Sequence, residues 1–338
     1  MIKDRQFTVR TDITNFCNLS CDMCHFGAYS PPDKTRITLE QFKTRFSELG
    51  QKTKTILLSC ACEPLCTTLE EFNSIVNYAS KELDIKDIRL ITNAVNLNKK
   101  FCSQIIESGI SQVHISIDSN IKETYEKIRK VAKFERVASN ITRLRDLKDK
   151  YKTTFPIIQF NVVLMKSNIK QMENFIDFAQ QMGCEQISFF HLIPKKKEHY
   201  DEILFHYKKQ TNVILDIIRK KCKMHKISIL DIPENFCLPP LKTEAEANNK
   251  TRPRLCRYVN SNDVFITDTA DFRPCGFWYN EPPFGNLDKE KFQDIWEKKD
   301  YILFRDEMKK GIISKYCCEI CPSMGTGDVN DPKTFQVH

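Results

Sequence analysis

Cys17-Asn18-Leu19-Ser20-Cys21-Asp22-Met23-Cys24 places three thiols at gaps of three and two residues, just after a strand-like run from Phe7 to Thr14. Thiolates are soft ligands that suit iron–sulfur clusters and zinc. A closed structural site of either kind takes four protein ligands, and here the local count stops at three. His25 follows at once, but its ring would have to fold back to serve as the fourth. A cluster on three thiolates keeps one iron with an open position, and an open position is where chemistry takes place. The alternatives for this stretch are a zinc knuckle or scattered core cysteines.

Outward from that loop, six strand-like segments (7–14, 54–59, 87–92, 112–117, 157–165 and 186–192) alternate with helical ones, the pattern of a parallel α/β sheet or barrel. Apolar runs such as Ile56-Leu57-Leu58 and Ile157-Ile158 predict strands covered on both faces. Thr38 with Gln41, Thr67 with Glu70 and Asn168 with Gln171 have the spacing of capping boxes. Six βα units predict a partial (β/α)6 TIM-like barrel over residues 1–231, open along one side, with its site at the strand C-termini. The three-thiol loop follows the first strand and so falls at that end. Residues 202–225 predict one long amphipathic helix, and a short strand follows at 227–231.

Pro233, Pro239, Pro240 and the polar run from Lys242 to Arg254 mark a linker over residues 232–255. A small C-terminal domain, 256–338, then carries a second set of cysteines. Cys256 and Cys275 flank a predicted hairpin, and Cys318-Glu319-Ile320-Cys321 closes the set, with Cys317 as a competing neighbour of Cys318. These are enough for a four-thiolate site, iron–sulfur or zinc.

The chain of 338 residues can bury a large core with a smaller domain beside it. Lys3, Asp4, Arg5, Arg10 and Asp12 leave no signal-peptide core at the start, and no run approaches the roughly 20 apolar residues that span a bilayer. A cytoplasmic location with no membrane partner is therefore expected. Fifteen cysteines in that compartment point to metal binding or catalysis rather than disulfides. The formal charge of +8 is spread out, and its densest runs, Lys195-Lys196-Lys197 and Arg219-Lys220-Lys221, read as borders of solvated helices rather than a nucleic-acid surface.

The Cys17–Cys24 run resembles the signature of the radical S-adenosylmethionine (radical SAM) enzymes. The resemblance implies a 4Fe–4S cluster on Cys17, Cys21 and Cys24, with S-adenosylmethionine chelating the fourth iron. It puts Met23 near the adenine, where the family usually has an aromatic residue. Ser59-Cys60-Ala61-Cys62-Glu63-Pro64 stands where the family shows Gly-Gly-Glu-Pro. Glu63 is then expected at the amino group of the methionine moiety, with cysteines at Cys60 and Cys62 in place of small residues. Cys60, Cys62 and Cys66 read as small buried thiols, or as a further metal site. Thr92-Asn93-Ala94 is similar to the family's Thr-Asn-Gly, so Asn93 lines the same mouth. Ser116 and Arg129 match the positions that bind the cofactor's carboxylate; Asn161 with Val162-Val163-Leu164 matches the support of the adenosyl group. His191, at the end of the sixth strand, faces the substrate or is structural.

The C-terminal set resembles the auxiliary-cluster domain called SPASM, or its shortened form, twitch, through Pro274-Cys275, Gly285-Asn286-Leu287 and the Cys-x-x-Cys. That implies a second 4Fe–4S cluster on Cys256, Cys275, Cys318 and Cys321. The implied activity is reductive cleavage of S-adenosylmethionine to a 5′-deoxyadenosyl radical that abstracts a substrate hydrogen. The auxiliary cluster would act as electron acceptor and a flavodoxin or ferredoxin as electron donor. Oxidation or epimerisation of a small polar metabolite (a sugar, cyclitol or aminoglycoside) is the expected outcome, since the first strand begins too early for a peptide-binding domain to precede it. Maturation of a ribosomally made peptide is the alternative. Epimerisation needs a hydrogen donor, for which Cys237 is the candidate ahead of Cys184 and Cys222. Two readings of other classes are a non-catalytic iron–sulfur electron carrier and a zinc-binding nucleic-acid module.

Overall fold

The structure, a computed structural model, describes residues 6–24, 33–59, 61–194, 197–233, 235, 256–276, 278, 281–312 and 314. Seven strands come first: β1 (Phe7–Thr11), β2 (Thr53–Leu58), β3 (Asp87–Thr92), β4 (Gln112–Ser116), β5 (Ile157–Leu164), β6 (Gln186–His191) and β7 (Ser228–Asp231). Between them run α1 (Leu39–Lys52), α2 (Leu69–Asn77), α3 (Lys99–Glu107), α4 (Lys122–Ile128), α5 (Phe134–Tyr151), α6 (Lys166–Ile169), α7 (Met172–Gln181) and α8 (Lys208–Met224). The C-terminal part adds α9 (Arg257–Asn260), β8 (Asp263–Ile266), β9 (Asp271–Arg273), β10 (Gly285–Asn286), α10 (Phe292–Trp296) and α11 (Lys299–Lys309).

All ten strands form one sheet in the order β10-β9-β8-β1-β2-β3-β4-β5-β6-β7. From β8 to β7 every neighbouring pair is parallel, while β9 and β10 run antiparallel. The sheet is not closed on itself, since its end strands, β7 and β10, do not pair. It is the expected partial barrel, with a C-terminal unit that lengthens the same sheet. Among the described residues no helix is long and apolar enough to cross a membrane.

The strands depart from the expectation of two apolar faces. Val9, Ile56, Leu90, Ile115, Phe160 and Phe189 are at most 1% exposed and belong to the core packed beneath the helices. The residues that alternate with them on the other face are largely polar: Arg10, Arg89, His114, Gln159 and Ser188. Leu57 on β2, Ile91 on β3, Val163 on β5 and Phe190 on β6 are apolar residues on that side. Alternation follows from the two-residue period of a strand; the outer layer binds the helices at roughly 1.5–3 kcal/mol per large side chain.

Thr38 and Gln41 make the expected capping box on α1. On α2 the box is one residue later than expected, Thr68 with Glu71, while Thr67 adds a hydroxyl to the same carboxylate. Asn168 does not cap α7; it lies inside α6, where its Oδ1 accepts from Met165 N and its amide donates to Asp118 and Val163 carbonyls. The expected helix over 202–225 is broken, with a 3₁₀ turn (Leu204–Tyr207) ahead of α8.

The C-terminal unit is clamped to the barrel. Arg45 on α1 donates to both oxygens of Asp288 at 2.7 Å and to the Asp268 carbonyl at 2.7 Å. Phe7 meets the rings of Phe292 and Trp296 edge-on at 5.1 and 4.7 Å. Gly285 is required by close approach, since a Cβ there would stand 2.5 Å from Ile295 Cγ1.

Candidate active site at the strand C-termini

The three-thiol loop leaves β1 and is fastened to its neighbours by short polar side chains. Asp12 Oδ1 accepts from the N–H groups of Ala61 and Cys62 at 3.0 and 3.1 Å, tying the loops after β1 and β2 together. Asn15 bonds Thr35 N and the Asp33 carbonyl, and Glu63 N donates to Phe16 O. Cys17, Cys21 and Cys24 are all half-buried. Donors are aimed at two of the sulfurs: Leu19 N and Asn93 Nδ2 lie 3.4 and 3.5 Å from Cys17 Sγ, and Arg129 Nη1 lies 3.9 Å from Cys21 Sγ. Burial, followed by the charge of Glu63, pushes the Cys17 thiol up to about 12. This donor set suits sulfurs that carry negative charge as metal ligands. Among the described residues no three His, Cys, Asp or Glu side chains are grouped as a single metal ion requires.

Glu63 is 3% exposed and sits at the centre of the mouth. Its Oε1 accepts from Thr92 Oγ1 at 2.6 Å and Leu65 N at 3.2 Å, and its Oε2 from Asn93 N at 2.6 Å. Burial outweighs these donors and raises its pKa to about 7. A carboxylate held this way gains from a cationic partner.

Arg129 is buried at the end of α4, not solvated on its surface. Its Nε lies 2.8 Å from Oδ2 of Asp118, whose side chain is 0% exposed, at an angle too bent for a hydrogen bond. Asp118 Oδ1 accepts from Val163 N at 2.8 Å. Burial works against the Arg129 charge, but Asp118 and then the Cys21 sulfur overcome it, and the net shift is upward.

Ser116 ends β4 opposite Asn161 on β5, both half-buried at the same mouth. Met23 packs with Ile128, Met165, Leu192 and Ile203, an apolar patch separate from the main core. His191 is half-buried at the end of β6, and burial lowers its pKa. Residues 17–24, Glu63, Asn93, Ser116 and Arg129 thus meet at one end of the barrel. Thr92, which opens the Thr92-Asn93-Ala94 motif, belongs to the same network, as do Asp12, Asn18 and Asp118, which carry no motif of their own. An acidic residue within two positions of the end of a buried parallel strand, as at Asp12 and Asp118, is the signal that marks two of them.

Cys62 and Cys66 are buried beside the loop. Cys184 and Cys222 lie in the core beneath the helices, where burial raises both thiols; neither faces the barrel interior. Cys256 is buried and Cys275 half-buried. They precede β8 and follow β9, at the N-terminal end of the parallel strands, whereas Cys17 follows β1 at the C-terminal end. Cys60, Cys237, Cys317, Cys318 and Cys321 lie outside the described residues, as do His25 and the expected linker from 236 to 255.

The family model of the radical SAM superfamily matches residues 11–179, and that of an iron–sulfur cluster-binding domain, SPASM, matches residues 256–323. The chain belongs to the radical SAM superfamily. This radical SAM enzyme therefore takes S-adenosylmethionine, a 4Fe–4S cluster that binds it, and auxiliary iron–sulfur in the SPASM region. It is 22% identical over 314 residues to the AdoMet-dependent heme synthase of Oleidesulfovibrio alaskensis, covering 86% of this chain and 74% of that one. It is 28% identical over 202 residues to the probable GTP 3′,8-cyclase of Methanocaldococcus jannaschii, covering 56% and 60%. Among solved structures, anSMEcpe with bound AdoMet aligns with a TM-score of 0.66 at 16% identity, over 95% of this chain and 85% of that one. SuiB of Streptococcus suis bound to S-adenosylmethionine gives 0.65 at 15%, over 88% and 67%. At these identities the likeness is one of fold.

Proposed function

We propose that this radical SAM enzyme oxidises a small polar metabolite, with Cys17, Cys21 and Cys24 as the cluster ligands and Glu63 as the holder of the cofactor's amino group. The observation that carries the cofactor assignment is Glu63: a buried carboxylate with pKa about 7 among three donors, whose charge an ammonium group relieves. Asn93 fixes both sides, offering its N–H to Glu63 and its side-chain amide to Cys17 and Asn18. Ser116 and what Asp118 leaves of the Arg129 fork serve the carboxylate, and the Met23 patch covers the adenine. When bound, the first cluster with S-adenosylmethionine supplies a 5′-deoxyadenosyl radical and the second supplies an electron acceptor. Cys256, Cys275, Cys318 and Cys321 are the proposed ligands of the second, and a flavodoxin or ferredoxin is the proposed donor. The chain's own work is positioning and the exclusion of stray hydrogen donors; core placement of Cys184 and Cys222 agrees with that.

Maturation of a peptide is the second reading, favoured by the fold shared with SuiB, whose structure bound to precursor peptide SuiA aligns with a TM-score of 0.63. The polar inner face of the strands favours the first. The test is reduction with dithionite in the presence of S-adenosylmethionine, followed by chromatography for 5′-deoxyadenosine. Its formation is expected, with loss in Cys17→Ala and weaker cofactor binding in Glu63→Ala. A protein with full iron content that forms none overturns the reading.

A further inference from the structure

The inner face of the barrel carries side chains that the cofactor site leaves unused. At its floor, Arg10 Nε lies 3.3 Å from Asp263 Oδ2, and Arg89 grips both oxygens of Asp87 at 2.6 to 3.0 Å. Each cation has its anion, so the floor offers a ligand no unmatched charge. One register row higher, on β4 and beside Gln159, His114 is 6% exposed and bonds Gln112 at 2.8 Å; burial, then the charges of Arg89 and Arg10, hold it neutral.

Above the floor, on β5 and β6, stands a wall with spare hydrogen-bonding capacity. Gln159 is 3% exposed and gives its amide N–H groups to Asn161 Oδ1 at 2.8 Å and Ser188 Oγ at 3.2 Å. Its Oε1 is buried and has no hydrogen-bond partner among the described residues. Gln186, its register partner on β6, has its Oε1 in the same condition. Ser188 accepts from Gln159 and so keeps its own proton to donate. Buried acceptors are nearly always satisfied in folded proteins, by protein, water or ligand, and two orphans side by side on an inner wall offer a donating ligand two ready partners. The wall lies within reach of the cofactor mouth, since Ser188, Asn161 and Ser116 share one register row and Gln159 is two residues below Asn161, roughly 7 Å along the strand.

We propose that this wall recognises the substrate, and that the substrate is a neutral, polyhydroxylated small molecule. Its hydroxyls donate to Gln159 and Gln186 and accept from Ser188. A hydroxyl both gives and receives, which matches a wall where acceptors and a donor alternate, and the paired floor gains nothing from a charged group. The inference rests on the cofactor reading above, which places the reacting atoms at the strand ends.

The test uses the reconstituted full chain with S-adenosylmethionine, and reads thermal unfolding and 5′-deoxyadenosine separately. Three probe sets are compared at equal concentration: myo-inositol and glucose; glucosamine and glucuronate; and a blocked dipeptide amide. Thermal stabilisation by a neutral polyol is expected, with Gln159→Leu and Gln186→Leu each weakening its binding about tenfold or more at unchanged iron content. Stabilisation by the charged or peptide probes alone, or by none of the three sets, overturns the proposal. The wild-type panel decides even where a variant does not fold. If polyols bind but no 5′-deoxyadenosine forms, it is the cofactor reading that has failed.

Discussion

The two cysteine regions are fastened to the same sheet by different means. The Cys17–Cys24 loop is held from inside: Asp118 is 0% exposed beneath Arg129, and amide donors point at the Cys17 sulfur. The Cys256–Cys275 hairpin is held by the pairing of β8 with β1 and, further out, by an Arg45–Asp288 pair whose aspartate is 43% exposed. Buried charges that lack an alternative partner make a site unforgiving, whereas a half-solvated pair leaves the other charge access to water. The first region is therefore built to fix an arrangement of atoms, and the second to attach a unit.

Five measurements press on that contrast. Replacing Cys17, Cys21 and Cys24 by alanine should abolish 5′-deoxyadenosine formation and remove about four of eight irons per chain. Cys256→Ala with Cys275→Ala should remove the other four and leave the cleavage; if both sets abolish it, the division of labour is wrong. Asp118→Ala strands a buried guanidinium and should cost about 3–5 kcal/mol in urea unfolding. In cluster-free protein, His114 gives a pH signature. Its folded pKa of about 3 lies below the unfolded value near 6.5, so the unfolded chain takes up a proton that the folded one refuses. Stability from this group is full above pH 6.5 and is lost as pH falls towards 3. His114→Gln should therefore be relatively more stable than wild type by about 2 kcal/mol at pH 5 compared with pH 7.5. Smallest, Asp288→Ala should cost about 1–2 kcal/mol, because Arg45, though buried, keeps the Asp268 carbonyl, and removal of a half-exposed carboxylate opens its guanidinium to water. A loss as large as that for Asp118 would erase the distinction between the two regions.

The barrel was legible because each cue is local. The cysteine spacing, the strand–helix alternation and the Thr38 box all lie within a few residues of chain, and the first six strands fall within three residues of their expected ends. What escaped depends on partners far away. Arg10, Arg89 and His114 interrupt apolar strands and look like surface charges until the strands curve and bring them together. Asp118 and Arg129 flank α4, and nothing in the sequence says that both turn inward. The α2 cap slipped by one because Thr67 and Thr68 are adjacent and both reach Glu71. Insertion of β8 beside β1, where Arg10 and Asp263 meet across 253 residues, has no sequence signal at all.

That last pairing bears on how the molecule is made. β1 has β2 on one edge and β8 on the other, and Asp12 N reaches Ile266 O only once β8 has docked. A growing chain can zip β1 to β7 in order, by short-range steps, but the strand that launches the thiol loop stays bare on one side until the final quarter emerges. Contacts of such long range form late, because the ends must first find one another. Iron delivered during synthesis meets a loop whose footing is still incomplete.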